Sequence, residues 1–474
     1  MTRANGAKVL FSFLALFAAI QFLNGSMIEK NDPPTPVMDK AIAAWDKDQI
    51  VPHVAPLTDG GAWISWYSFT DQEYFQMWLQ RIDRSGNPLF DAPGLLVADH
   101  PSPASWVTDY TLLTDESDNA VIVFPDAGSG RFTVWAYKIS PSGEFLWGAD
   151  GVSLDQPAGD SFTPRAVLTT DQEVTISWTQ VGPNDTFVNV VVQRLSSSGS
   201  PRFGGGLTIS LPHGKAKDSR LIASAEGSFI LVWREIPSLT FGDNRGAIRA
   251  QRYDAVGAPL WPSAATISGQ EYLPYYSWPQ AVTDGRGGAF IAWNAFDSTG
   301  FGIIGYIQHI SANGELTMPA DGLPLSTEMT AQNWNKILLN LGPDPETGEA
   351  VVNWEESDLS QNRRRTVIDL FSMDGKRRWE PNGHPVGKFG DSKRHCIAVG
   401  VMKNAVACVF GSYAEWIPKS ANSAILTTAL SEIASPKGHF DIAPSPLGGF
   451  WVAWDDGRSD YGDIYVAFTP APED

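Results

Sequence analysis

Ile82-Asp83-Arg84-Ser85-Gly86-Asn87-Pro88-Leu89-Phe90 returns, with drift, as Ile139-Ser140-Pro141-Ser142-Gly143-Glu144-Phe145-Leu146-Trp147. Further copies centre on Gly199, Gly257, Gly314 and Gly375, so the glycines stand 57, 56, 58, 57 and 61 residues apart. Four positions after each lies a large apolar residue: Phe90, Trp147, Phe203, Trp261, Met318 and Trp379. Glycine reaches the positive φ of a tight hairpin turn without steric cost, and Asp, Ser or Asn ahead of it favours turning. The stretch reads as a β-turn repeated at a fixed period, and its aromatic is expected to fold back over the turn and anchor it.

Roughly twenty residues upstream of each turn is a short apolar run ending in an aromatic, such as Ala62-Trp63-Ile64-Ser65-Trp66. The eight runs end at Trp66, Phe124, Trp178, Trp233, Trp293, Trp354, Phe410 and Trp454. Their length and β-branched content mark them as strands. Each unit then holds four strands: an inner one (165–169, for example), the aromatic-ended one, one such as 189–195, and one after the glycine turn.

Four-stranded units repeated radially form a β-propeller, in which each sheet buries both faces against its neighbours. No capping ends of a linear solenoid are visible. The expected fold is therefore all-β, a single β-propeller of eight four-stranded blades, with seven blades plus a remnant as the alternative. Residues 41–474 form the propeller and 27–40 an N-terminal extension. The last unit runs out near Phe468 before a fourth strand, so 41–47 is expected to supply it and close the ring, with the repeats over 48–474. The seventh unit has little room for an outer strand after Leu430, which is the reason for the lower count. No stretch beyond the N-terminus sustains a helical period.

Composition agrees. Charged residues make up only 18%, there are 18 Trp, and Gly and Pro number 44 and 33, which excludes disorder as the main state. The formal net charge is -19, and residues 1–26, carrying only Arg3 and Lys8, make it more negative still when removed. So acidic a surface repels phosphate backbones and argues against nucleic acid as a partner. Arg3 and Lys8 precede an apolar run from Val9 to Leu23, too short for a bilayer span, so 1–26 reads as a signal peptide and the protein as secreted or periplasmic. No membrane span is expected after cleavage. Cys396 and Cys408 are the only cysteines. A hairpin turning near 402–404 would set them nearly opposite, as a cross-strand disulfide or as two buried thiols.

The final unit, Gly448-Gly449-Phe450-Trp451-Val452-Ala453-Trp454-Asp455-Asp456-Gly457-Arg458 and then Gly462-Asp463-Ile464-Tyr465, resembles the repeat of secreted bacterial β-propeller proteins. The glycine turns also resemble weakened sialidase Asp-boxes, whose pattern is Ser-x-Asp-x-Gly-x-Thr-Trp. Only Asp83, Asp254 and Asp374 supply an acid near the glycine, and never with the Thr-Trp that follows. The resemblance implies an architecture over about 430 residues, and propellers of that architecture host unrelated activities.

In such a fold the loops between units, and those between second and third strands, gather on one face around the central channel. Arg165, Arg220 and Arg394 stand at the starts of inner strands there. Sialidase-like propellers hold a carboxylate with three arginines on that face, and the resemblance implies the same use here; no motif assigns the accompanying Tyr–Glu pair or acid. Ion pairing with Asp160, Asp218 or Asp391 is the structural alternative. Tyr272, Tyr275, Tyr276 and Trp278 before the fifth unit, with Trp334 and Trp106, form an aromatic set suited to sugar rings or apolar side chains, or simply to packing between blades. Glu355, Glu356 and Asp358, and likewise Asp455, Asp456, Asp460 and Asp463, read as solvated loop charge, with a bond between Asp455 and Arg458 expected within the loop. No metal-ligand, phosphate-loop or nucleophile motif is present, so no cofactor and no metal are expected. The reading is an exported, monomeric binding protein presenting one loop face to a glycan or protein ligand. Its rivals are a carbohydrate-active enzyme, sialidase-like or polysaccharide lyase-like, and a structural module of the envelope.

Overall fold

The computed structural model describes residues 36–102, 110–127, 130–154, 158–240, 243, 245–274, 278–379, 381–390, 396–402, 404–420, 425–460 and 462–472. The expected signal peptide therefore lies outside the described residues, as do Trp106, Tyr275, Tyr276, Asp391 and Arg394. The chain is all-β: the helices among the described residues are two three-residue 3-10 turns, Pro183–Asp185 and Ala225–Gly227. No described helix is long and apolar enough to cross a membrane.

Antiparallel four-stranded sheets follow the sequence repeat. In the first unit Gln49–Pro56, Ala62–Phe69, Phe75–Ile82 and Leu95–Ser102 pair in that order, and the same order recurs in later units. The third and fourth units are joined into one sheet by a single parallel bridge, Val188 to Lys215. The seventh unit does have an outer strand, Leu426–Ala429, paired with Tyr413–Pro418. It lies before Leu430, not after it, because the preceding hairpin is shorter than in the other units. In the last sheet Asp463–Thr469 pairs with the N-terminal strand Val37–Ala43, which begins four residues ahead of the expected 41–47.

Apolar clusters join consecutive sheets. Val123 and Trp147 of the second unit pack with Ile176 and Trp178 of the third, and Phe290 of the fifth with Val352 and Trp354 of the sixth. Trp451 and Val466 of the last unit share a cluster with Val54 and Trp66 of the first. The landmark aromatics sit at the centre of this packing: Trp66, Trp178, Trp293, Trp354 and Trp454 are all fully buried. A buried Trp removes on the order of 200 Å² from water, about 5 kcal/mol of transfer free energy. An exposed ion pair contributes about 0–1 kcal/mol, so aromatic packing dominates cohesion.

The glycine turns adopt the expected conformation, with φ of 76–87° from Gly86 through Gly375. Their aromatics do something else. Trp147 covers Gly199 of the next unit, where an added Cβ would meet its ring at 2.8 Å, and its Nε1 donates to the Ser197 carbonyl at 2.9 Å. Trp261 covers Gly314 in the same way, its Nε1 donating to the Ala312 carbonyl at 2.9 Å. Phe90 lies against Gly143, Phe203 against Gly257 and Met318 against Gly375. Each of these five side chains thus seals the turn of the following unit, where a glycine without a Cβ leaves room for it.

A second repeated device escaped the sequence reading. An acid in the turn after the inner strand pairs with a base on the third strand: Asp59 with Arg81 (2.8 Å), Asp115 with Lys138 (2.7 Å), Asp284 with His309 (2.9 Å), and Asp171 with Arg194.

Candidate functional site

Strand register places one residue of each inner strand opposite the position just before the landmark aromatic. These residues are His53, Thr111, Arg165, Arg220, Gln280, Asn340, Ala398 and Asp441, facing Ser65, Val123, Ser177, Val232, Ala292, Asn353, Val409 and Ala453 respectively. They form one tier across the units, and most are polar although inner strands are otherwise largely apolar or small.

A shared irregularity presents four of them. In the strands Gln49–Pro56, Asp160–Leu168, Lys215–Ala223 and Lys437–Pro444 the register shifts just before His53, Arg165, Arg220 and Asp441. Two residues ahead of each is a left-handed backbone: Val51 (φ 54°), Thr163 (50°), Asp218 (56°) and His439 (43°). A bulge of this kind turns a side chain out of the pleat and is favoured where a site needs one re-aimed.

Arg165, Arg220, Trp278, Gln280 and Leu338 line one open cavity of about 430 Å³. Arg165 and Arg220 are half-buried, and each steadies its guanidinium on the carbonyl just before it: Nη1 to Pro164 at 3.2 Å and to Ser219 at 2.9 Å. Trp278 is 39% exposed at the rim, and Gln280 Nε2 donates to the Leu339 carbonyl at 2.9 Å, tying the fifth inner strand to the sixth. Two guanidinium groups with a planar ring beside them can hold a carboxylate and a sugar face together.

Of the acids expected near these arginines, the described Asp218 and Asp160 also make bonds elsewhere. Asp218 accepts Arg234 Nη1 at 3.2 Å and lies 3.3 Å from Lys217 Nζ. Asp160 accepts the Phe132 amide at 2.9 Å. Tyr272 closes the outer strand Ala265–Tyr272, 61% exposed, with Arg245 over its ring at 5.6 Å. Trp334 is half-buried just ahead of Asn335–Pro343. Neither ring lines the cavity.

Elsewhere on the tier, the last and first units meet through an Asp–His pair. His53 Nδ1 is 3.1 Å from Asp441 Oδ2, which also accepts the Val54 amide at 2.9 Å. The His53 ring stands edge-on to Tyr110 with centroids 4.2 Å apart, and the Tyr110 hydroxyl donates to the Val51 carbonyl at 2.8 Å. Burial pushes the Tyr110 hydroxyl well above the usual range. Beside them His439 Nδ1 bonds Asp455 Oδ2 at 2.5 Å, and that carboxylate raises the imidazole pKa.

Two expectations about charge are overturned. Glu355 and Glu356 are buried within the strand Ala350–Ser357, Glu356 paired with Arg365 at 2.6 Å and Glu355 lying 3.4 Å from Arg364. Neighbouring Lys336 is also buried, and desolvation pushes its pKa down to about 8. Asp455, Asp456 and Asp463 are buried strand residues as well. Arg458 binds Asp39 at 2.9 Å and Asp456 at 2.7 Å, while Asp455 serves His439 and the Val51 amide. The charges go inside because cations from neighbouring strands meet them there. Cys396 and Cys408 are buried free thiols. Cys408 faces Val399 across the hairpin, and burial together with the Cys396 thiol raises its pKa. Among the described residues no cluster of His, Cys, Asp and Glu could hold a metal.

No protein-family model and no curated protein matches the chain. Among solved structures it is similar to a protein of unknown function from Dyadobacter fermentans, with 11% identity and TM-score 0.40 over 92% of this chain and 99% of that one. It is similar to the polysaccharide lyase Uly1, with 8% identity and TM-score 0.44 over 92% and 99%. It is also similar to an α-L-arabinanase of Penicillium chrysogenum, with 12% identity and TM-score 0.37 over 72% and 99%. These are likenesses of chain path, and no residue role passes from them to this chain.

Proposed function

We propose that this chain is an exported, monomeric propeller that recognises an acidic glycan at its channel through Arg165 and Arg220. The eight-blade ring is part of the proposal. Its support is the pairing of Val37–Ala43 with Asp463–Thr469 and the cluster shared by the last and first units. The observation that carries the ligand reading is the convergence of two half-buried guanidiniums with Trp278 and Gln280 on one cavity. Bidentate guanidinium donors fit a carboxylate better than a point charge does. The same groups would grip an acidic side chain poorly without a ring to stack on Trp278, which favours a sugar acid over a protein partner.

Binding of the purified protein to matched neutral and uronate-containing glycans tests this. Binding confined to the acidic members is expected, and Arg165→Ala or Arg220→Ala should weaken it at least about tenfold, as loss of a hydrogen bond to a charged group does. Equal binding of neutral glycans, or none of the acidic ones, would sink the reading. The enzymatic alternative has one specific support: Asp441 engages His53 through Nδ1, an arrangement that orients an imidazole to act as a base through its other nitrogen.

A further inference from the structure

A second concavity, here called the rim subsite, lies among the loops of the first three units. It holds about 560 Å³ and is lined by Gln72, Glu73 and Tyr74, by Arg131 and Phe132, and by Asp160. The first three belong to the loop between second and third strands of the first unit, the next two to the equivalent loop of the second, and Asp160 opens the inner strand of the third. The walls are prearranged. Asp160 Oδ1 accepts the Phe132 amide at 2.9 Å, and Arg131 Nη1 donates to the Gly159 carbonyl at 3.1 Å. The Phe132 ring packs on Phe162 with centroids 5.0 Å apart, and the Tyr74 hydroxyl donates to Asp99 at 2.8 Å.

The two concavities share a strand. Asp160 and Arg165 both belong to Asp160–Leu168, and because the bulge shortens that strand they lie opposite Val181 and Ser177, four residues of regular strand or about 13 Å apart. That length exceeds one sugar ring and suits a short oligosaccharide. The chemistry of the ends differs. Arg165 and Arg220 favour a carboxylate at the channel, whereas at the second concavity Glu73 and Asp160 outnumber Arg131, whose Nη1 is held by the Gly159 carbonyl, and offer acceptors for hydroxyls. Aromatic rings at the rim suit the apolar faces of neutral sugars. The protein's net charge of -19 also disfavours a ligand carrying many negative charges.

Building on the acidic-glycan reading of the channel, we infer that the ligand is an oligosaccharide or polysaccharide chain with a neutral backbone and isolated uronate residues. One uronate sits between Arg165 and Arg220, and the neutral sugars run along the third inner strand to a rim subsite made by Tyr74, Phe132 and Asp160. Linking two weak subsites through one chain raises affinity without new contacts at either.

Calorimetric titration compares three probes: glucuronic acid, glucuronoxylan oligosaccharides carrying one uronate on a neutral chain, and oligogalacturonate. The uronate-bearing xylo-oligosaccharide should bind about tenfold or more tightly than glucuronic acid. Tyr74→Ala and Phe132→Leu should each abolish most of that gain while leaving glucuronic acid affinity and melting temperature unchanged; the second, milder variant guards against a folding defect. If the oligosaccharide binds no more tightly than the monosaccharide, or the gain survives both variants, the rim subsite is wrong while the channel reading stands. Tighter binding of oligogalacturonate would overturn the neutral backbone. Failure of all three probes would overturn both readings together.

Discussion

Trp147 and Trp261 show how one residue type does two tasks here. Each fills apolar space between units and also donates its indole N–H to a backbone carbonyl of the next turn. The partner glycine is required on two counts, a positive φ and an absent Cβ. At Gly314 φ is 85° and an added Cβ would come within 2.9 Å of the Trp261 ring. Gly314→Val should therefore cost at least about 2 kcal/mol, from backbone strain alone before any displacement of the ring. Denaturant unfolding measures this, and a change below about 0.5 kcal/mol would show that the turn relaxes freely. The turn itself was legible from glycine spacing. Its aromatic partner was not, since sequence distance points to the residue's own turn and only packing reveals the neighbour's.

Among the elements, the bulged inner strands present four residues of the polar tier, His53, Arg165, Arg220 and Asp441. The bulge puts His439 beside Asp455, and Asp455 in turn holds the Val51 amide of the first unit at 3.1 Å. The His439 pKa is raised by that carboxylate. A raised folded-state pKa stabilises the fold fully below the unfolded value near 6.5, and the contribution fades as pH rises through the folded value. His439→Gln should accordingly lower the melting temperature at pH 5.5 and leave it unchanged at pH 9. The effect should be about 1 °C, because the side chain is half exposed and screened by solvent. An equal loss at both pH values would mean that the imidazole matters by shape and not by charge. The tier itself has a sequence signature. His53, Thr111, Arg165, Arg220, Gln280 and Asp441 each stand 13 residues before a landmark aromatic, while Asn340 stands 14 and Ala398 12 before theirs. Counting back from the aromatics would have exposed His53, Gln280 and Asp441 alongside the two arginines.

For the whole molecule, the N-terminal strand ties the last unit to the first. Ile42 and Ala43 enter the cluster between the last and first units, Asp39 binds Arg458, and Val37 and Lys40 lie over Gly86 of the first glycine turn. A chain lacking residues 1–43 would leave the edge of Asp463–Thr469 unpaired, an invitation to self-association. Its melting temperature should fall by several degrees, at least about 5 °C, and light scattering should report oligomers. A truncated chain that stays monomeric with an unchanged melting temperature would rule out closure through this strand.

The periodic features needed no structure. Glycine turns, aromatic-ended strands and the all-β class follow from local preferences, since turn conformation and strand burial are each set within a few residues. Arg165 and Arg220 of the candidate site were also within reach because their position repeats with the unit, and Trp278 because it stands in a local aromatic cluster. The tertiary structure decided the rest: which turn each aromatic seals, where Glu355, Glu356 and Asp456 find the cations that let them be buried, which strand pairs with the last one, and that Tyr74, Phe132 and Asp160 share a concavity. The buried carboxylates meet cations of their own unit, Glu356 on Arg365 and Asp456 on Arg458, whereas the other three depend on residues from different units meeting in space. Contacts between units are set by how twisted sheets stack on one another, and no short window of sequence contains both partners.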